Sequence, residues 1–253
     1  CASSNTAIIN AFDTIRLGKA SIMIAGGSEA CITPASVGGF NAAQALSKNN
    51  DDPQGASRPF DRDRDGFIMG EGAGALILEE WEHAVKRGAP IYAEMAGGGM
   101  AADAYHLTGT PPDGLGAYLG MKKALEDAQI SPDKIDYINA HATSTGLGDI
   151  SELNGIKRLF DNLPVAISGT KSMTGHLLGA AGAIESIISI LSVKTNIIPA
   201  TTNTQNLDPF VPAGLHIILG KSIERTVNYA LNNTFGFGGH TASSVFKKYT
   251  SAN

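Results

Sequence analysis

The sequence predicts an α/β fold with mixed sheets, in more layers than a simple three-layer sandwich. Three observations predict it. Strand-like runs alternate with helix-spaced runs along the chain. The alternation begins a new cycle near position 90. One long helical run, AAGAIESIISIL, is apolar nearly all round, which places it inside the molecule between sheets.

The elements follow in order. Ser4 to Lys19 carries apolar residues at helical spacing (Ala7, Ile8, Ala11, Ile15), and Gly18 is a natural stop. SIMIAGGSEA reads as a short buried strand ending in a glycine turn. Phe40 to Asp65 is polar and loop-like, centred on NNDDPQGASRPFDRDRDG. GAGALILEE is a second buried strand, Trp81 to Arg87 a short helix closed by Gly88, and IYAEMAGGG another strand. In the second cycle AYHLTGTPPDG is a loop, Leu115 to Ala128 a helix, and SPDK a break. IDYINAH is a strand, Ser151 to Phe160 a helix, VAISGTK a strand, and HLLGAAGAIESIISILSV one long helix. LHIILG and TVNYALNNTF are further strands. HTASSVFKKY pairs with the last of these, because FGFGG supplies a glycine turn between two β-rich runs.

Composition bounds the function classes. The chain has 253 residues, 43% of them hydrophobic, and a formal net charge of -5, an ordinary globular balance that gives no reason to expect nucleic acid or an anionic membrane as partner. No apolar run reads as long enough to cross a bilayer, and no signal peptide is visible. The two cysteines, Cys1 and Cys31, form neither a disulfide framework nor a metal-ligand pattern. The 30 glycines fall in clusters, which marks tight turns and close backbone approach.

Four segments hold residues that can do chemistry. Cys1 precedes a helix whose first turn is Ala, Ser, Ser, Asn. Free N–H groups and the positive dipole end there favour a thiolate, and small neighbours admit a second molecule. A buried, inert thiol is the competing reading, and this segment alone leaves both open. His141 closes an apolar strand and enters a loop rich in hydroxyls and glycine, where open α/β sheets place ligands. Lys171 and His176 lie five residues apart before a helix of small residues. In NNTFGFGGH the phenylalanines Phe235 and Phe237 sit between glycines, where backbone N–H groups can face an anion. One cysteine, two loop histidines, a sheltered lysine and an N–H source make a set suited to acyl transfer: the thiolate attacks a thioester, N–H groups hold the oxyanion, and histidines steady an enolate.

The segments CASSNTAI, IAGGSEA, GGFNAAQALS, ASRPFDRDRDGF, GEGAG, DAYHLT, NAHATST, TKSMTGHLLGAAGAIE and NTFGFGG stand in an order and spacing that resemble the β-ketoacyl-acyl-carrier-protein synthases, most closely their type II branch. The resemblance runs from Cys1 to about Lys248. It implies a thiolase-like five-layer α-β-α-β-α fold of two similar halves, residues 1–90 being the remainder of the first half and 91–253 the second. It implies decarboxylative Claisen condensation of an acyl-enzyme thioester with malonyl-acyl carrier protein.

By this resemblance Cys1 is the acyl-accepting nucleophile, His141 and His176 bind the malonyl thioester carbonyl and stabilise the enolate, and Lys171, with Glu185, holds the network around His176. Phe237 matches the family's gating phenylalanine and would pair its N–H with that of Cys1 as an oxyanion hole; Phe235, Gly236 and Gly238 belong to the same substrate-binding turn. Thr108, Thr143 and Thr145 match hydroxyls along the pantetheine tunnel. The resemblance implies no metal or organic cofactor, an acyl carrier protein as partner, a homodimer, and a cytoplasmic or organellar location. The chain departs from the family pattern at Ala142, where glycine is usual, at His240 and Thr241, and at Gln44, expected on a helix facing the carrier. His83 and His106 read as structural. Arg62 and Arg64 read as a self-paired DRDRD loop.

In the family a strand precedes the nucleophile, so the chain reads as the C-terminal portion of a longer protein. Made alone it is expected to be insoluble or inactive. Three rivals stand beside this reading. An N-terminal-nucleophile amide hydrolase would require stacked antiparallel sheets. A coenzyme A-dependent thiolase would require a second catalytic cysteine, for which Cys31 reads as badly placed. A non-catalytic, chain-length-measuring subunit would usually lack the cysteine.

Overall fold

The computed structural model describes residues 1–250. Helix α1 (Ser3–Arg16) leads into β1 (Ile22–Glu29), α2 (Pro34–Ala42), β2 (Gly72–Glu79) and α3 (Trp81–Lys86). Then come β3 (Ala93–Ala102), α4 (Leu115–Ala128), β4 (Tyr137–Asn139), α5 (Gly146–Phe160) and β5 (Ala166–Ser168). The chain continues through α6 (Lys171–Thr174), α7 (Ala181–Thr195), β6 (Ile197–Ile198), β7 (His216–Ile217), β8 (Ile223–Glu224), β9 (Tyr229–Gly236) and β10 (His240–Lys248).

Strands β1 and β2 form a two-stranded antiparallel sheet. A six-stranded mixed sheet runs β3-β10-β9-β4-β5-β7: β10 is antiparallel to both of its neighbours, β3 and β9, and β9, β4, β5 and β7 are parallel. No strand is shared between these two sheets, which meet in sequence across α3. Helices α1 and α7 lie between them, packing on β1 and β2 from one side and on β9 and β10 from the other. Helices α4 and α5 cover the far face of the large sheet. Four layers are present among the described residues: the small sheet, α1 with α7, the large sheet, and α4 with α5; the outer face of the small sheet is open at Ile24 and Ile77, so the expected fifth layer is not seen there. The mixed sheet, with its parallel strands β9, β4, β5 and β7, is also not the antiparallel stack that an N-terminal-nucleophile hydrolase requires.

The physical causes are local. Helix α4 places Ala117, Met121, Ala124 and Leu125 on one buried face, and Gln129 ends it in the left-handed conformation at φ 55°. Helix α7 buries Ser186, Ser189 and Ser192 between two sheets; Ser189 and Ser192 return their hydroxyls to the carbonyls of Glu185 and Ile188, at 2.8 and 3.0 Å. Its contact with α1 is close because Gly182 has no side chain: a Cβ there would lie 2.7 Å from the Asn5 nitrogen. Ser4 Oγ accepts the Ala183 N–H at 2.9 Å, and Asn5 donates to the Ala242 carbonyl at 3.0 Å, which ties α1 to α7 and to the large sheet.

Several expectations shift. The long helix does not begin at His176; α6 ends at Gly175 with φ 68°, a one-turn 3-10 segment follows, and α7 starts at Ala181. Lys171 opens α6 instead of ending a strand. Helix α5 starts at Gly146, five residues before the expected Ser151, and the added turn carries Asp149, whose carboxylate accepts the Ser144 and Thr145 N–H groups. Pro34–Ala42 is helical, with Thr33 capping it through the Ser36 N–H, while Gln44 lies just beyond at φ 54°. The stretch Leu178–Thr195, with mean hydropathy 1.3, does meet the length and composition of a membrane span; 56% of it is buried inside the fold as the core helix between the sheets. On the outer face of the small sheet Ile24 and Ile77 are directly cross-strand and 74% and 70% exposed.

Candidate active site

Cys1 stands immediately before the N-cap of α1, and the Thr6 N–H closes the first turn on the Ala2 carbonyl. Its half-buried side chain packs against a cluster of Cys31, Phe67 and Leu178, with Phe40 and Met69 around it. The Phe67 ring meets His176 edge-on at 5.2 Å between centroids, His176 meets His141 edge-on at 5.2 Å, and His141 lies 5.5 Å from Phe235. Phe235 leads to Gly236, whose backbone abuts the start of α1 so closely that a Cβ would sit 3.2 Å from the Cys1 nitrogen. These contacts close a ring. The nucleophile candidate and both loop histidines line one site, although 140 and 175 residues of chain separate them.

The two histidines arrive differently. His176 follows Gly175 in a bridge beside Met69; its N–H donates to the Ile68 carbonyl at 2.7 Å, and its carbonyl accepts the Gly70 N–H at 2.9 Å. His141 follows β4, and its N–H donates to Glu152 Oε1 at 2.9 Å. Burial, reinforced by the Lys171 ammonium, holds both imidazoles well below the usual histidine range, so both are neutral at physiological pH. A neutral imidazole offers one N–H and one lone pair, which suits it to hydrogen-bond a developing oxyanion.

Lys171 is 1% exposed and pairs with Glu185 of α7, also buried. Desolvation raises the Glu185 carboxyl to about 7 while the lysine opposes the rise. Residues 236–239 form the turn between β9 and β10, with Gly238 and Gly239 at φ 85° and 81°. The turn rests on loop 103–109 through Gly238 N–H to the Leu107 carbonyl (2.7 Å) and Asp103 N–H to the Gly239 carbonyl (3.0 Å). Phe237 stands at its tip, 42% exposed and 6.3 Å from the Phe40 ring, and its N–H has no hydrogen-bond acceptor among the described residues. Thr143 and Thr145 share a 3.1 Å hydroxyl contact on the loop after His141. Thr108 sits in the exposed loop beneath the turn, and its hydrogen bonds stay with His106 of that loop. No cluster of three metal-binding side chains occurs among the described residues.

Sequence reasoning missed three parts of the site. Cys31 is not remote: it shares the apolar cluster against which Cys1 packs, because the chain after β1 folds back beside Phe67 and Leu178. Burial and the nearby Glu29 carboxylate push its thiol up, so it is not a thiolate in waiting. Arg62 does pair with its neighbour Asp63, but Arg64 is buried, bonded to Asp149 and Asp208 and to the carbonyls of Asp61 and Thr145. Asp149 and Glu152 of α5 are fully buried beneath the His141 loop. Their i, i+3 spacing at the start of a helix was the one available signal, and it reads equally as a solvated face.

Residues 1–84 match the model of the beta-ketoacyl synthase N-terminal domain, and residues 92–205 that of the C-terminal domain. A 3-oxoacyl-[acyl-carrier-protein] synthase 2 from Synechocystis sp. is 50% identical over 98% of this chain and 60% of its own length. The chloroplastic 3-oxoacyl-[acyl-carrier-protein] synthase II of Arabidopsis thaliana is 49% identical over 98% of this chain and 46% of its own. The chain thus spans about half to three fifths of these relatives. Among solved structures, a type II polyketide ketosynthase in complex with its acyl-carrier protein superposes with a TM-score of 0.96 at 42% identity, covering 99% of this chain and 62% of that one.

Proposed function

Since the chain belongs to the β-ketoacyl synthase family, we propose that it performs decarboxylative condensation between an acyl group on Cys1 and malonyl-acyl carrier protein, elongating a fatty acyl chain by two carbons. The observation that carries this reading is the closed ring of contacts from the Cys1 cluster through His176 and His141 to the Phe235 turn.

The steps use these residues as follows. The Cys1 thiolate attacks the thioester carbon of an acyl carrier and expels the carrier's pantetheine thiol, leaving an acyl-cysteine. The N–H of Cys1 and the free N–H of Phe237 hold the oxyanion of that attack. Malonyl-carrier then loses carbon dioxide, and the electron pair of the broken bond passes to the thioester enolate. Neutral His141 and His176 stabilise this enolate by hydrogen bonds, while burial, reinforced by the Lys171 ammonium, keeps both imidazoles uncharged. The enolate carbon attacks the acyl-cysteine, the C–S bond breaks, and the Cys1 thiolate is restored as the 3-oxoacyl-carrier leaves. Thr143 and Thr145 serve the pantetheine arm, and Thr108 meets it at the loop beneath the turn. No resident metal or organic cofactor takes part in this scheme. An acyl carrier protein is the partner, and the homodimer and a reducing compartment, cytoplasmic or organellar, belong to the same reading.

The test is a condensation assay with acyl- and malonyl-loaded carrier protein. Cys1→Ala is expected to abolish condensation; retained turnover overturns the assignment and favours a non-catalytic subunit. Cys31→Ser is expected to retain condensation. Its loss, together with coenzyme A-dependent cleavage of a 3-oxoacyl-coenzyme A by the parent protein, would favour the thiolase reading.

A further inference from the structure

The loop after β4 is strained. Ala142 has φ 34° and Ser144 φ 68°, in the left-handed region where only glycine sits freely. Such a turn persists only where its surroundings hold it. Two carboxylates one helical turn apart on α5 do so. Asp149 accepts the Ser144 and Thr145 N–H groups at 3.1 and 3.3 Å, with Arg64 as its counter-charge. Glu152 grips the residues next to the chemistry: Oε1 accepts the His141 N–H and Oε2 the Ala142 N–H, both at 2.9 Å. Oε1 also accepts from Asn233 Nδ2 at 3.0 Å, and Asn233 lies on β9 two residues before Phe235. Glu152 is 2% exposed, and it lines a small cavity with Phe235, Gly236 and His240 beneath the 236–239 turn.

We propose that Glu152 is a positioning residue for His141, which through its bonds to the His141 and Ala142 N–H groups and to Asn233 fixes the imidazole in its strained loop and ties that loop to the strand carrying the Phe235 turn. The inference rests on the reading in which His141 stabilises the malonyl enolate. All three groups facing the side chain are N–H donors, so both of its oxygens accept when it is ionised, and the rates below are read at pH 8, above the value of about 7 to which burial raises this carboxyl. A glutamine amide supplies one oxygen and one NH2, which sets donor against donor at one arm of the grip. Ala142 is then released from its left-handed conformation, and the imidazole one residue earlier moves with it.

The two half-reactions separate the claim from a general loss of fold. Transfer of an acyl group from carrier to Cys1 does not use His141 in this scheme, whereas decarboxylation of malonyl-carrier does. Glu152→Gln is expected to lower kcat for decarboxylation by about tenfold while acyl transfer stays within about twofold. Adding Ala142→Gly is expected to shrink the loss, because glycine holds the turn without the carboxylate. Equal losses in both half-reactions, or the same loss with alanine and glycine at 142, would overturn the inference. Should Glu152→Gln fail to fold, Glu152→Asp, which keeps the charge and is too short to reach all three donors, is read by the same two rates. Absence of decarboxylation and condensation in the parent protein would instead overturn the functional reading, and this inference with it.

Discussion

His141 and His176 face one another across 5.2 Å and share the same electrostatic condition, yet their segments are held by opposite means. His176 sits among backbone bonds: its N–H and carbonyl are paired with residues 68 and 70, and no side chain is needed to keep the peptide there. His141 sits on a loop with two left-handed non-glycine residues, and its N–H ends on a carboxylate. The difference shows where sequence change can reach. A β-bridge survives most side-chain substitutions. A strained loop gripped by a buried acid depends on single atoms, and it carries its own titration.

The largest expected effect tests the support behind His176. Glu185→Ala leaves Lys171 buried without its partner, and breaking a buried ion pair costs about 3–5 kcal/mol. Urea unfolding should show a loss of that order. A loss below about 1 kcal/mol would mean that the lysine finds another partner or water. Lys171→Met with Glu185→Leu is expected to recover much of it, since both charges go together.

An intermediate effect sharpens the contrast through pH. Burial raises the Glu152 carboxyl to about 7 from its ordinary 4.5, so the folded state binds a proton that the unfolded chain has released between these values. The contribution of this group is therefore full below pH 4.5 and falls away as pH rises through 7. Glutamine does not titrate. The melting temperature of Glu152→Gln relative to the parent should thus rise between pH 5 and pH 8. The buried imidazoles run the other way: their protonated forms are disfavoured in the fold, so their contribution declines as pH drops below the ordinary 6.5. A difference between parent and glutamine variant that stays flat over pH 5–8 would remove Glu152 as a titrating support.

The smallest effect tests the backbone-held side. Ile68→Val keeps the carbonyl that receives the His176 N–H. It should cost about 1 kcal/mol or less and leave condensation unchanged within about twofold. A large drop in activity would show that His176, like His141, is positioned through side chains.

Much of this was legible in the residues. The alternation of runs, the all-round apolar helix and the FGFGG hairpin gave the class of fold, since periodicity and turn chemistry are local properties. Spacing and residue type pointed to Cys1, His141, Lys171 and His176, because thiol, imidazole and amine chemistry is intrinsic to those side chains. The helix boundaries at 146 and 181 were not legible. At the first, Asp149 in the added turn bonds back to the loop at 144 and 145; at the second, a backbone bridge joins His176 to a segment more than 100 residues away.

Tertiary structure alone decided which charged residues face inward. Asp149, Glu152, Arg64 and Asp63 look alike in a polar stretch, but the first three are buried and only Asp63 is left to solvent. It also brought Cys31 beside Cys1 and left Thr108 on an exposed loop. Composition and spacing determine what each group can do. Which group meets which is set by long-range packing, because burial and hydrogen-bond partners are properties of the assembled neighbourhood and of no single segment.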